Sequence, residues 1–328
     1  MTQNSFKVGT FNVYNLSLAN VPFYNQKYSE SVYAKKIRWI GHQLDSMKAD
    51  VVGFQEVWQQ QALQDAIDQS EFLKDANVVL AKEQTTTPSV AIASRFPIIS
   101  HEAIADFPEA ALLKIEGEEL ALKQFSRPVL CVRVELREGV ECTFVVAHLK
   151  SKRPDIAEGA DPNDPLEQAK GQVRSLIRRS AESVALRSIL INLMQGNNHP
   201  VIAMGDLNDE SLAVTTQLIS GEPPFRRLSI ERKKAVWDVL LYHVKDIQAR
   251  QSYGDFYYTH IHNGHYGSLD HILVSQEFVE QNRDRVGRVG YVSVFNDHLI
   301  DETLSKDEVE DWQSDHGQVV ALIELAKL

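Results

Sequence analysis

The chain has 328 residues, 43% apolar and 24% charged, with 45 acidic against 34 basic side chains and a formal charge of -11. That length and apolar content suffice for a large core, and no apolar stretch is long enough to span a membrane. The negative charge argues against a protein that grips long polyanions by its whole surface, because nonspecific nucleic-acid affinity comes from neutralised phosphates. Taken along the chain, apolar runs and helical periodicity predict a strand near 6–13, a helix over 31–47, a strand over 50–55, a helix over 58–70, and strands near 88–94, 129–135 and 142–148. A helix over 167–195, a strand over 200–206, a helix over 211–219 and strands near 256–260, 268–274 and 317–323 complete the pattern. Strands and helices mixed in this way predict an α/β protein of two packed mixed β-sheets flanked by helices.

No Pro/Gly/Ser linker, repeat or low-complexity block interrupts the chain between Asn12 and His316, so one domain over 1–328 is expected. The start, Met1-Thr2-Gln3-Asn4-Ser5-Phe6, is polar and carries no secretory signal, so the expected location is cytoplasmic. Cys131 and Cys142 lie in adjacent strand-like segments and are expected to be buried free thiols rather than a cross-hairpin disulfide.

Six short segments end on groups able to bind a hard metal or move a proton. They are Phe11-Asn12-Val13, Gln55-Glu56-Val57, Ala147-His148-Leu149, Gly205-Asp206-Leu207-Asn208-Asp209, Ser268-Leu269-Asp270-His271 and Ser314-Asp315-His316-Gly317. Glu56, His148 and Asp206 each follow an apolar run of the kind that forms a buried strand. A strand-terminal polar group taken singly is ordinarily just solvated. Six of compatible chemistry predict one site at the rim of a sheet, where rigid elements hold groups accurately.

This ordered set resembles the endonuclease/exonuclease/phosphatase superfamily, the deoxyribonuclease-I-like metal-dependent phosphoesterases, and it covers nearly the whole chain. Gly205-Asp206-Leu207-Asn208-Asp209 and Ser314-Asp315-His316 are its specific parts. The resemblance implies a four-layer α/β sandwich and hydrolysis of phosphoesters. Two departures separate the chain from better-known branches. Tyr14 stands where apurinic-site endonucleases carry an acid, and Ser126-Arg127-Pro128 stands where deoxyribonucleases carry a Glu that steadies the histidine matching His148. The orientation of His148 is therefore left open.

Phosphoester hydrolysis needs a hard cation, a positioned water and donors aimed at developing charge. Glu56 suits Mg2+ (or Mn2+), with Asn12 and Asp315 supplying further oxygens. If strand geometry persists, Asp206 and Asn208 project to the same side, one to take a proton and the other to hold the phosphate or water. His316 is expected to donate to phosphoryl oxygens with Asp270 fixing its tautomer, and His148 to be a second donor. The family supports each assignment at the matching position.

Lys150, Lys152 and Arg153 follow His148 directly and are expected to bind substrate at the mouth of the site. Lys170, Arg174, Arg178, Arg179 and Arg187 on the long helix, and Arg226-Arg227 with Arg232-Lys233-Lys234, form further basic clusters, equally readable as solvated faces. The stretch from Asp297 to Asp311 is acidic, and Tyr253, Phe256, Tyr257, Tyr258, His260, His262, His265 and Tyr266 gather before Asp270, either for base stacking or as a strand face. The leading expectation is a nuclease acting on DNA or RNA. The alternatives are a phosphatase or phosphodiesterase of a small substrate such as a nucleotide, inositol phosphate or lipid head group, and a catalytically silent binding module.

Overall fold

The computed structural model describes residues 4–82, 84–225, 227–251, 257–262, 264–301 and 308–326. In chain order the elements are β1 (Ser5–Leu16), α1 (Glu30–Met47), β2 (Val51–Gln59), α2 (Gln60–Ile67), β3 (Asn77–Leu80), β4 (Gln84–Ser94), β5 (Ile98–Asp106), the short pair β6 (Lys114–Ile115) and β7 (Glu118–Glu119), β8 (Gln124–Arg137) and β9 (Val140–His148). There follow α3 (Pro165–Met194), β10 (Val201–Asp206), α4 (Val214–Ser220), α5 (Ile230–Trp237), β11 (Leu241–His243), α6 (Val244–Gln251), the hairpin β12 (His260–His262) and β13 (His265–Gly267), β14 (Asp270–Ser275), β15 (Gly287–Phe295) and β16 (Gln318–Leu325).

Two six-stranded sheets result, in the orders β15-β16-β1-β2-β4-β3 and β11-β14-β10-β9-β8-β5. Both read antiparallel, antiparallel, parallel, antiparallel, antiparallel across their strands. The central parallel pairs, β1/β2 and β10/β9, thus occupy equivalent places. Phe6, Val51, Ile92, Leu130, Phe144 and Met204 belong to one core shared by the inner faces of both sheets. A second core joins the outer face of the first sheet to α1 and α2 through Phe11, Phe54, Ile40, Leu44 and Leu63. A third joins the second sheet to α3 through Val145, Ala203, Leu186 and Leu190. The layers are therefore helix, sheet, sheet, helix, as the strand and helix pattern predicted.

Local chemistry sets the helix ends. The Ser29 hydroxyl caps α1 by accepting from the Val32 N–H, and Lys48 closes it in the left-handed region at φ 47°. Asp164 caps α3 ahead of Pro165, whose fixed φ suits a first helical residue. Several predicted boundaries move. Residues 58 and 59 extend β2 before α2 begins, and the helix expected over 211–219 starts at Val214. The strand expected over 256–260 is instead His260–His262, with Phe256 outside the described residues, and Ser268 and Leu269 precede β14. The strands missed include β3, β5, β11 and β15, the four edges of the two large sheets; β5 and β15 carry mostly part-exposed side chains and no continuous apolar run, while β3 and β11 are only four and three residues long. Cys131 lies opposite Val145 and Cys142 opposite Val134, so the two free thiols do not face each other. No helix among the described residues is long and apolar enough to cross a membrane.

Candidate active site

Strand register alone lines up three of the candidates. Asp206 pairs with His148 across the parallel β10/β9 ladder and with Asp270 across the antiparallel β10/β14 ladder. The approach of β10 to β9 depends on Gly205, which has φ 142° and where a Cβ would lie 1.9 Å from the Ala147 carbonyl oxygen. Immediately after Asp206 the chain turns: Asn208 adopts φ 55°. Strand alternation therefore does not place Asn208 beside Asp206, contrary to expectation. Its N–H instead donates to Asp206 Oδ1 at 2.8 Å, and its Nδ2 donates to the Leu149 carbonyl at 3.0 Å.

Asp206 Oδ2 is the meeting point of the two sheets. Asn12 Nδ2 donates to it at 3.1 Å, His148 Nε2 lies 3.4 Å away and His316 Nε2 3.8 Å away. His316 Nδ1 is 2.8 Å from Asp270 Oδ2. The His316 backbone is fixed by the Ser314 hydroxyl, which accepts from the His316 N–H at 3.0 Å and donates to the Asn12 carbonyl at 2.6 Å. Burial raises the Asp206 carboxyl well above the usual carboxylate range; the Asp270 charge adds to this while His316 opposes it. For His316 burial acts downward, but the Asp270 and Asp206 carboxylates outweigh it and hold the imidazole well above its ordinary value, protonated at neutral pH. Burial and then the charges of Arg127 and His316 push His148 well below the usual histidine range, so it is neutral.

The carboxylate that faces His148 is that of Asp206, 3.4 Å from its Nε2, and not one of the 126–128 stretch. That stretch is tied through main chain: Glu182 on α3 accepts from the Ser126 N–H at 2.8 Å and the Lys150 N–H at 2.7 Å, while Arg127 Nη1 donates to the Leu149 carbonyl at 3.3 Å. His148 Nδ1 is buried without a partner among the described residues.

The first sheet contributes a rim of oxygens. Bulges interrupt β1 and β2, and Tyr14, Asn15 and Glu56 all take positive φ (48°, 52° and 65°). Such backbone costs roughly 1–3 kcal/mol per non-glycine residue and persists only where surroundings enforce it. Here the Asn15 N–H donates to Glu56 Oε2 at 3.0 Å and Asn12 Nδ2 reaches Glu56 Oε1 at 3.4 Å. Asp315 Oδ1 is buried and has no hydrogen-bond partner among the described residues. Beneath this rim is Lys36, which sequence reading missed: its ammonium is wholly buried, 5.6 Å from the Tyr14 ring centroid and 5.4 Å from that of Tyr28. Burial lowers its pKa to about 7 against the opposing pull of Glu56, Asp315 and Asp311. A lysine at a helical core position was the signal available. Among the described residues two triads bring ligand atoms within 4.8 Å of one another, Asp206/Asp270/His316 and His260/Asp315/His316; Glu56 belongs to neither.

The basic clusters divide. Lys150 Nζ is bonded to the Arg153 and Ser151 carbonyls at 3.1 and 3.5 Å and so braces its own loop. Lys152 Nζ pairs with Asp209 at 3.0 Å and, with Arg153, lines a cavity shared with Asn208 and His316. On α3, Arg179 pairs with Asp209, Arg174 with Glu167, and Arg187 with the Ile219 carbonyl, so these three serve packing. Arg226, Tyr253, Phe256 and residues 302–307 of the acidic stretch lie outside the described residues. Tyr258 and Tyr266 pack edge to face at 4.9 Å, as ring contacts within the hairpin region.

Residues 9–316 match the model of the Endonuclease/Exonuclease/phosphatase family. The fold is similar to an endonuclease/exonuclease/phosphatase from Bacteroides vulgatus (12% identity, 99% of this chain and 100% of the other covered, TM-score 0.58). It is likewise similar to D. rerio TDP2 complexed with a single-strand DNA product (13% identity, 98% and 99% covered, TM-score 0.56) and to the human Nocturnin catalytic domain with bound sulfate (15% identity, 98% and 94% covered, TM-score 0.55). A search of curated proteins finds no match. Members of the matching family include metal-dependent phosphodiesterases and nucleases. By a match that spans almost its full length, this chain belongs to the endonuclease/exonuclease/phosphatase family.

Proposed function

We propose that residues 1–328 act as one catalytic domain that hydrolyses phosphodiester bonds of nucleic acid, with Mg2+ or Mn2+, by attack of an activated water on phosphorus. The observation that carries this reading is the convergence on Asp206 Oδ2 of Asn12, His148 and His316, with Asp270 behind His316. Asp206, its carboxyl raised by burial and oriented by its donors, is the base that takes the proton from water. Charged His316 donates to a phosphoryl oxygen, and Asp270 holds its tautomer and favours the imidazolium. Neutral His148 is a second donor, and Asn208 fixes the Asp206 carboxylate through its N–H.

Glu56, Asn12 and Asp315 would hold the metal ion. An oxygen-only donor set with the unpartnered buried Asp315 Oδ1 fits a hard cation. When bound, such an ion neutralises phosphoryl oxygens and orients the scissile group. Lys152 and Arg153 bind substrate, whereas Lys150 shapes their loop. Structural neighbours crystallised with a DNA product and with sulfate are consistent with an anionic substrate. The second reading, a small phosphorylated substrate, draws support from carboxylates that line a cavity beside Asp315. A reducing, cytoplasmic compartment suits the two free thiols.

The test compares wild type and His316→Ala on single-stranded DNA, duplex DNA, RNA and bis(p-nitrophenyl) phosphate, with Mg2+, Mn2+ or chelator. Polynucleotide cleavage that requires metal and His316 supports the nuclease. Cleavage of the simple ester alone moves the reading to a small substrate, and metal-independent or His316-independent turnover removes the mechanism.

A further inference from the structure

Two cavities of similar size flank His316 and share the strand β12 as a common wall, but their charges are opposite. The first, of about 630 Å3, opens on Asn208 and His316 and carries Lys152 and Arg153 against one acid, Glu210. The second, of about 560 Å3, opens on Tyr14 and Asp315 and carries Asp301, Glu310 and Asp311, with no lysine or arginine among its described lining residues. His260 and His262 line both. Lys152 is partly neutralised by Asp209, but the Arg153 side chain is exposed and makes no ion pair or hydrogen bond among the described residues. A guanidinium in that state, beside a cavity of nucleotide size, is suited to a phosphate, which it binds through two parallel N–H donors.

We infer that the Arg153 cavity receives a second anionic group of the substrate, one unit from the scissile phosphate, and that the carboxylate cavity across β12 excludes one. This rests on the phosphoesterase reading and deepens it. A phosphodiester chain running through the site in both directions would place a phosphate against Asp301, Glu310 and Asp311, where like charge opposes it. The substrate class is therefore a phosphodiester with a second phosphate on one side and an uncharged group on the other, such as the terminal unit of a polynucleotide, rather than the interior of a long strand.

The experiment uses two pairs of thymidine esters with Mg2+: the 5′-(p-nitrophenyl) phosphodiester with and without a 3′-phosphate, and the 3′-(p-nitrophenyl) phosphodiester with and without a 5′-phosphate. The readout is the ratio of kcat/KM with the extra phosphate to kcat/KM without it. One pair is expected to show a ratio of at least about ten, arising in KM, and the other no gain; Arg153→Ala should bring the high ratio close to one and Arg153→Lys should restore part of it. Equal gains in both pairs, no gain in either, or a ratio that survives Arg153→Ala would overturn the inference while leaving the phosphoesterase standing. Calorimetric binding of thymidine 3′,5′-bisphosphate in chelator separates the two claims. Affinity that falls about tenfold in Arg153→Ala supports the anion site even if no ester is turned over, and affinity indifferent to Arg153 removes it.

Discussion

The two sheets have the same sequence of strand orientations and present the equivalent ends of their central parallel pairs to one site, yet the two rims are built for different work. The rim of the second sheet, His148, Asp206 and Asp270, is almost fully buried, in register, and free of bulges. There burial moves pKa values, which suits the proton transfer proposed for it. The rim of the first sheet, Asn12, Glu56 and the adjoining Asp315, is bulged, with Glu56 and Asp315 part exposed. There the oxygens proposed to hold the metal ion are partly open, as suits an ion that keeps some of its own water. One architecture thus yields a dry half and a wet half, and Asn12, bonded to both Glu56 and Asp206, joins them.

That division breaks most decisively on Asp206→Asn and His316→Ala. Each should lower kcat by about 10²–10⁴-fold with metal affinity little changed, measured by single-turnover rates and metal titration of the folded variants. If Asp206→Asn acts mainly by weakening metal binding, the dry half is a metal site and the comparison fails.

Glu56→Gln should do the converse. Metal affinity should drop at least about tenfold, with much of the rate recovered at saturating Mg2+. A kcat loss equal to that of Asp206→Asn, at saturating metal, would erase the distinction.

The pH profile sharpens it further. In the proposed mechanism Asp206 is ionised to take a proton, so activity should fall as pH drops through its raised pKa; His316 is protonated, so activity should be lost as pH rises through its raised pKa. Asp270→Asn removes a charge that raises both groups, so both limbs of kcat/KM should move to lower pH. An alkaline limb that stays in place would separate Asp270 from His316.

The smallest effects compare the two sheets as scaffolds. Gly205→Ala drives a Cβ into the Ala147 carbonyl at 1.9 Å, whereas at Gly53 the nearest atom is the end of the flexible Met204 side chain at 3.0 Å. Gly205→Ala should destabilise by about 3 kcal/mol or more and Gly53→Ala by about 1 kcal/mol, read from urea midpoints. Equal losses would show that the ladder at β9/β10 yields as readily as a side chain.

Much of this was legible before the structure because a strand buried on both faces writes a continuous apolar run, and the polar residue that ends it is conspicuous. Val201 to Met204 leads to Asp206 and Phe144 to Ala147 leads to His148 in that way. Half-exposed strands such as β5 and β15 write no such signal. The Asn208 geometry was misjudged because alternation stops where the chain turns into positive φ. The hairpin of His260, His262 and His265 was visible as composition, but its position between two cavities of opposite charge was not. Lys36 stands at a core-facing position of α1, but only docking of the helix shows that its ammonium is wholly buried.

The sequence by itself determined which chemical groups end the central strands, since apolar patterning and local turn residues act over a few positions. Only tertiary structure decided how those groups meet. Asn12 reaches Asp206 across 194 positions and Ser314 reaches back to Asn12 across 302, contacts that depend on two sheets packing with their equivalent rims together. Burial, and with it the protonation of Asp206, His148 and His316, is a property of that packing, because desolvation and neighbouring charge exist only once the sheets have closed on each other.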